Sequence, residues 1–217
     1  MGVIPTRMFP LGVGRGAPYT QIYGIRSDGV SYCALPGNVN ASSGRFDLLF
    51  DLTTTSYTGQ GHVLGSHGSG LGSHFLWHLN QSNSVGIYCF GYVFAGSNPS
   101  FGASGQTIDS CKNSSGNFVK INNVSRGRYD SAATQNTGRF LIFRANKNET
   151  SVSPATGTSV SIVVIRSLKV WFGDALVADL LPAKENATGE VCFYNSVDSN
   201  FIKNIAGNGS SLIEVTA

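Results

Sequence analysis

The 217-residue sequence predicts an all-β domain, a two-sheet antiparallel sandwich preceded by an extended N-terminal arm. Three observations predict it. Short apolar runs recur with a period of two, and no longer window carries an apolar face at helical spacing. Gly (27), Ser (27) and Asn (17) fill about a third of the chain, the supply of turn residues that many short strands require. Hydrophobic residues make up 41%, enough for a buried core, while charged residues make up only 12%, about half the roughly 25% usual for soluble domains.

Taken in order, residues 1–18 combine Pro5, Pro10 and Pro18 with Gly2, Gly12, Gly14 and Gly16. That mixture holds neither a helix nor a central strand. It reads as an extended arm whose apolar side chains, Ile4, Met8, Phe9 and Leu11 among them, anchor it on a partner. Residues 19–217 then form the folded domain, with a first strand near 20–26. In 46–52, Phe46, Leu48, Phe50 and Leu52 alternate with Asp47, Leu49 and Asp51, a strand with one wet face. The Gly-rich stretch 59–73, containing GSHGSGLGSH, reads as a long mobile loop, and a strand follows over 74–79.

Over 85–94 both faces are apolar, with Val85, Ile87, Cys89 and Val93 on one and Tyr88, Phe90, Tyr92 and Phe94 on the other. Such a strand lies centrally or beneath a bound partner. Strands are expected near 118–122 and 139–145. The run 159–172 places Val160, Ile162, Val164, Leu168, Val170 and Phe172 on one side, with Arg166 as the exception. Gly173 and Asp174 then turn the chain, pairing 168–172 with 175–181 as a hairpin. Strands near 190–194 and 200–203 complete the pattern.

Composition and motifs exclude several functions. A net charge of +3 without a Lys/Arg run is no footprint for nucleic acid. No apolar run reaches the ~18 residues of a membrane span. The first residues lack the apolar core of a secretory signal, so Cys33, Cys89, Cys111 and Cys192 are expected as reduced core thiols. On the same ground the sequons beginning at Asn40, Asn80, Asn113, Asn123, Asn148, Asn186 and Asn208 read as loop chemistry. Polysaccharide-cleaving sandwiches carry Glu-x-Asp-x-x-Glu on one strand, and none of Glu149, Glu185, Glu190 and Glu214 stands in that spacing. Asp47 and Asp51 read as solvated strand residues. There is no Gly-x-Ser-x-Gly elbow and no Gly-Lys phosphate loop. The expectation is a protein without catalytic residues or cofactor.

Histidine and aromatic residues supply the binding candidates. His62, His67, His74 and His78 fall within seventeen residues, with no carboxylate or cysteine between 62 and 78. No metal site is expected within one chain, and a site between chains around a symmetry axis stays open. Trp77, Trp171, Tyr88, Tyr92 and Phe94 have flat faces that can stack on the C–H face of a sugar. Strand aromatics are usually core. Trp77 and Tyr92 are singled out because polar His78, Asn80 and Asn98 stand near them, the mixture of ring faces and amides that a carbohydrate site needs.

Residues 167–208, SLKVWFGDALVADLLPAKENATGEVCFYNSVDSNFIKNIAGN, carry a family resemblance. The segment resembles the close of the concanavalin A-like, laminin-G-like jelly-roll domains of phage and prophage structural proteins. Those end in a pattern like K-I-Y-x-x-G-x-L-V-x-D-L-V-P, then G-x-Y-D-x-x-x-x-x-F-Y-x-N-x-G-x-G. Matched positions are Lys169, Val170, Leu176, Val177, Asp179, Leu180 and Pro182, then Tyr194, Phe201, Asn204 and Gly207. Leu176, Val177, Leu180 and Leu181 are read as core contacts, and Pro182 as a stop to further strand pairing. GRFLIFRAN (138–146) resembles the family's L-Y-I-F-A-x-N strand, and NFVKINNVSRG (117–127) its v-Y-I-N-G hairpin, with Asn123 at the turn glycine. The resemblance runs over about 19–215 and is most specific over 167–208.

It implies a jelly-roll topology and a non-enzymatic role as a bacteriophage virion component: a capsid decoration, head-fibre or tail-fibre module. The protein would be made in the host bacterial cytoplasm and displayed on the virion exterior. Its partners would be further copies of itself, another virion protein and glycans, with no nucleic acid or membrane. The rival reading is a host-polysaccharide lectin or adhesin, and a glycan-cleaving enzyme comes third.

Overall fold

The computed structural model describes residues 16–54, 61–67, 73–79, 84–97, 101–126, 129–130, 132–146, 161–207 and 209–217. Among them there is no α-helix. In chain order the strands are β1 (Tyr19–Gln21), β2 (Gly24–Ser27), β3 (Cys33–Ala34), β4 (Gly44–Leu52), β5 (Gly61–Ser66), β6 (Phe75–Leu79), β7 (Ser84–Cys89), β8 (Tyr92–Ser97) and β9 (Gln106–Asn113). They continue with β10 (Gly116–Ile121), β11 (Val124–Ser125), β12 (Tyr129–Asp130), β13 (Leu141–Ile142), β14 (Val163–Phe172), β15 (Ala175–Glu185), β16 (Val191–Asn195), β17 (Asn200–Ile202) and β18 (Leu212–Val215). An eleven-stranded antiparallel sheet runs β11-β10-β9-β4-β14-β15-β16-β17, with β1 against β15, β2 against β14 and β18 against β2. A seven-stranded antiparallel sheet runs β12-β8-β7-β6-β5-β13-β3.

Strand alternation builds the core between the two sheets. In β4, Phe46, Leu48 and Phe50 are fully buried, whereas Arg45, Asp47 and Leu49 are only partly so. From the facing sheet β6 sends in Phe75 and Trp77, both fully buried. Ring centroids of Phe46 and Phe75 lie 5.7 Å apart, and those of Phe50 and Trp77 lie 4.7 Å apart. These tilted ring pairs join the sheets into a sandwich, each adding about 0.5–1.5 kcal/mol beyond the area it buries.

Both expected turns form. The β14–β15 hairpin places Gly173 at φ 60°, where a side chain would be strained. The β10–β11 hairpin turns through Asn122 and Asn123 at φ 52° and 63°. Positive φ at both loop positions is the geometry that matches strand twist, and asparagine tolerates it better than other side chains.

Elsewhere the structure corrects the sequence reading. The run 85–94 is two strands, β7 and β8, joined by a tight turn at Phe90 (φ 50°) and Gly91 (φ 82°). The turn reverses the face of everything after it, so Tyr92 stands opposite Cys89 on the core side. In β14 a register shift between Ile165 and Ser167 makes Arg166 a bulge residue. Val163 and Ile165 therefore join Leu168 and Val170 in the core, and Arg166 points out to Asp51. Residues 159 and 160 of that run lie outside the described residues.

The stretch 59–73 contains β5, paired with β6, while 68–72 lie outside the described residues. Near 139–145 only Leu141–Ile142 is strand, because Phe143 at φ 67° breaks the ladder. Pro182 lies inside β15. It falls where β15 exchanges neighbours, since pairing with β14 ends at Leu180 and pairing with β1 begins at Ala183. The missing N–H costs little in that gap. Of the four apolar residues read as core in this segment, Leu180 is fully buried, Val177 and Leu181 are half-buried and Leu176 is 37% exposed.

Candidate functional site

The two rings of the carbohydrate set read from the sequence, Trp77 and Tyr92, are not on the surface. Trp77 is fully buried between Phe50 and Phe101, with centroids at 4.7 and 6.2 Å. Tyr92 is 2% exposed, turned inward by the Phe90–Gly91 hairpin. A ring with no face in solvent offers a sugar nothing to stack on. His78 lies in β6 opposite His62 in the ladder. Asn80 and Asn98 lie outside the described residues, as do Ile4, Met8, Phe9 and Leu11 of the expected arm.

The face of the larger sheet that points away from the core gathers the aromatic and charged groups instead. Cross-strand register sets Phe118 (β10), Cys111 (β9), Arg45 (β4), Trp171 (β14) and Leu176 (β15) in one outward row. Arg45 is fixed by a two-pronged ion pair to Asp109, at 2.8 and 2.9 Å. Its guanidinium lies 4.9 Å from the Trp171 ring centroid and 5.9 Å from that of Phe118. Lys120 adds its ammonium 4.4 Å from Phe118. The next outward row reads Lys120, Asp109, Asp47, Lys169, Asp179, with Lys169 Nζ 3.1 Å from Asp179. Trp171 is only partly buried, and its indole N–H meets no hydrogen-bond acceptor among the described residues. The geometry is a stiff apolar strip edged by paired charges.

No family model matches the chain, and no curated protein does.

The outward carboxylates are committed to local partners. Asp51 accepts hydrogen bonds from the Tyr23 hydroxyl and the Gly105 N–H, both at 2.6 Å, and is buried instead of solvated. Lys203 holds Glu185 at 2.7 Å and Glu190 at 3.0 Å. That ammonium, with the Thr188 hydroxyl, keeps the Glu185 carboxyl below its usual range. A general acid needs the opposite shift, a carboxyl raised toward neutrality. Backbone register sets His62 opposite His78, and the rings of His67 and His74 lie 3.9 Å apart. Among the described residues no three His, Cys, Asp or Glu side chains gather as a metal site.

All four cysteines are free and buried. Burial pushes the Cys33 and Cys89 thiols far above their usual range and Cys192 up to about 11. The reactive thiolate is thereby suppressed.

Sequence reasoning weighed Trp171 and passed it over, and it did not find Arg45 or Phe118. The available signal was alternation. Lys169 and Trp171 share the strand face opposite Leu168, Val170 and Phe172, and the Arg166 bulge shifts the parity only of the residues before it.

Proposed function

We propose that this chain is a non-enzymatic structural component of a bacteriophage virion, a capsid decoration, head-fibre or tail-fibre module. Its sandwich, of jelly-roll topology and concanavalin A-like type, faces outward and holds glycans. Its N-terminal arm joins it to further copies or to another virion protein. The observation that carries the reading is the closing segment. The matched residues from Lys169 to Phe201 form one antiparallel run, β14 to β17, with Leu180 in the core. Asn204, another matched position, ties loops together, accepting from the N–H of Tyr32 and of Ala206 and donating to Ser210.

The pairing of outward carboxylates with Arg45, Lys169 and Lys203 supports a surface without general acid–base chemistry. Mass spectrometry of gradient-purified particles, with antibody labelling by electron microscopy, tests the reading. The chain should copurify with particles and label their exterior. Its absence from particles would overturn the virion role. Glycan binding by the soluble protein would then favour the lectin, and release of sugar reducing ends would favour the enzyme.

A further inference from the structure

We infer that the Phe118–Arg45–Trp171 strip is a saccharide-binding platform, with a pyranose ring laid against Trp171. The inference rests on the glycan-holding part of the function proposed above and assigns it a place. Trp171 contributes the only half-buried indole, since the chain has two tryptophans and Trp77 is sealed in the core. Arg45, pinned to Asp109 and seated against both Phe118 and Trp171, holds the strip rigid before any ligand arrives. A preformed site avoids the cost of ordering side chains on binding. Gly44 supports the same geometry. A Cβ there would stand 2.6 Å from the Trp171 carbonyl oxygen, so β4 approaches β14 closely beneath the platform.

The surroundings favour a polyol over a protein partner. Leu176, at 37%, is the one strongly exposed apolar side chain of the row among the described residues. A protein hot spot needs a wider apolar patch that excludes water. Bordering the strip are carboxylates and ammonium groups already in pairs, such as Lys169 with Asp179. A large dry interface would desolvate those pairs without offering new partners. A pyranose has one flat C–H face for the indole, and its hydroxyls both donate and accept. It can therefore bond the Trp171 N–H and the edge of the charged row while that row stays hydrated.

Tryptophan fluorescence reads the site directly, because a soluble quencher reaches Trp171 and not Trp77. Methyl β-galactopyranoside, methyl β-glucopyranoside and methyl N-acetyl-β-glucosaminide are titrated into the full chain in the presence of iodide. At least one should protect the emission saturably with a Kd on the order of millimolar, unchanged in Trp77→Phe. Saccharide-observed NMR line broadening then compares variants that keep the circular dichroism spectrum. Trp171→Ala and Trp171→Leu should each lose at least about tenfold in affinity, and Trp171→Phe much less. Binding that persists unchanged in Trp171→Leu would overturn this site while leaving glycan binding intact. No binding by the wild-type chain, to these glycosides or on a glycan array, would overturn the site together with the glycan-holding part of the proposed function.

Discussion

At the scale of single residues, the sites that matter most are those where one atom has several obligations. Asp28 accepts hydrogen bonds from Val30 and Ser31 N–H at one oxygen and from Ser211 N–H at the other, at 2.7–2.8 Å. Desolvation pushes its carboxyl up, but the three backbone donors outweigh it and hold the pKa at about 2. A depressed pKa contributes stability above the ordinary 3.8 that is lost as pH falls through about 2. Asp28→Asn should therefore cost about 1–2 kcal/mol at neutral pH, and urea unfolding should show that gap closing near pH 2. A gap of constant size would mean the charge is irrelevant. Gly65 is constrained differently. At φ 133°, a Cβ would stand 2.3 Å from Leu76 Cβ and 2.4 Å from the Phe75 carbonyl oxygen. Gly65→Ala should cost more than about 2 kcal/mol. Gly37, at φ 75° with nothing within 4 Å of a Cβ, is the control and should lose only about 1 kcal/mol on the same change.

At the scale of elements, hairpin turns decided what the sequence could reveal. The β10–β11 turn is filled by Asn122 and Asn123, both at positive φ. Asn123→Gly should hold or raise stability by up to about 1 kcal/mol, and Asn123→Val should lower it by about 1–2 kcal/mol. Thermal melts of the two variants that fail to bracket the parent would contradict this turn. Such turns were legible because Asn and Gly announce them, as at Gly173. The β7–β8 turn was not, although Gly91 fills its second position, because its first is a phenylalanine at φ 50° inside an apolar run. That one omission set Tyr92 on the face opposite Cys89, whereas the turn brings both to the core side; Trp77, the other ring of the first glycan reading, is buried on β6 independently of it. Strand β9, in the middle of the larger sheet, was missed for another reason. Its inward positions include Gln106 and Ser110 beside Ile108, so its apolar alternation is diluted. The sandwich was therefore legible from repeated alternation, while face assignments failed wherever a bulge or an unmarked turn shifted the parity by one.

At the scale of the whole molecule, the larger sheet is held by buried rows that cross many strands. Ile108, Leu48, Leu168 and Leu180 form one such row over β9, β4, β14 and β15, all fully buried. Leu180→Ala should cost about 2–5 kcal/mol, and a melting shift no larger than that of a surface Ser→Ala control would contradict the row. The N-terminal boundary of the folded unit is set by similar means. The Ala17 carbonyl accepts from the Asn186 side-chain amide at 2.9 Å, and the Pro18 carbonyl from the Asn186 backbone N–H at 3.0 Å. Tyr19 stacks on Tyr194 with centroids 4.2 Å apart and opens the three-residue ladder of β1 with β15. Residues 17 and 18 thus belong mechanically to the sandwich, although their composition matches that of the arm. Two truncations separate anchoring from folding. Removing 2–15 keeps every one of these bonds, so the melting transition should stay in place while oligomer formation and incorporation into particles are lost. Removing 2–18 also deletes both carbonyl acceptors and should lower stability by about 1–2 kcal/mol. If the 2–15 truncation assembles and incorporates like the parent, the arm has no anchoring role, and attachment must be sought on the sandwich itself.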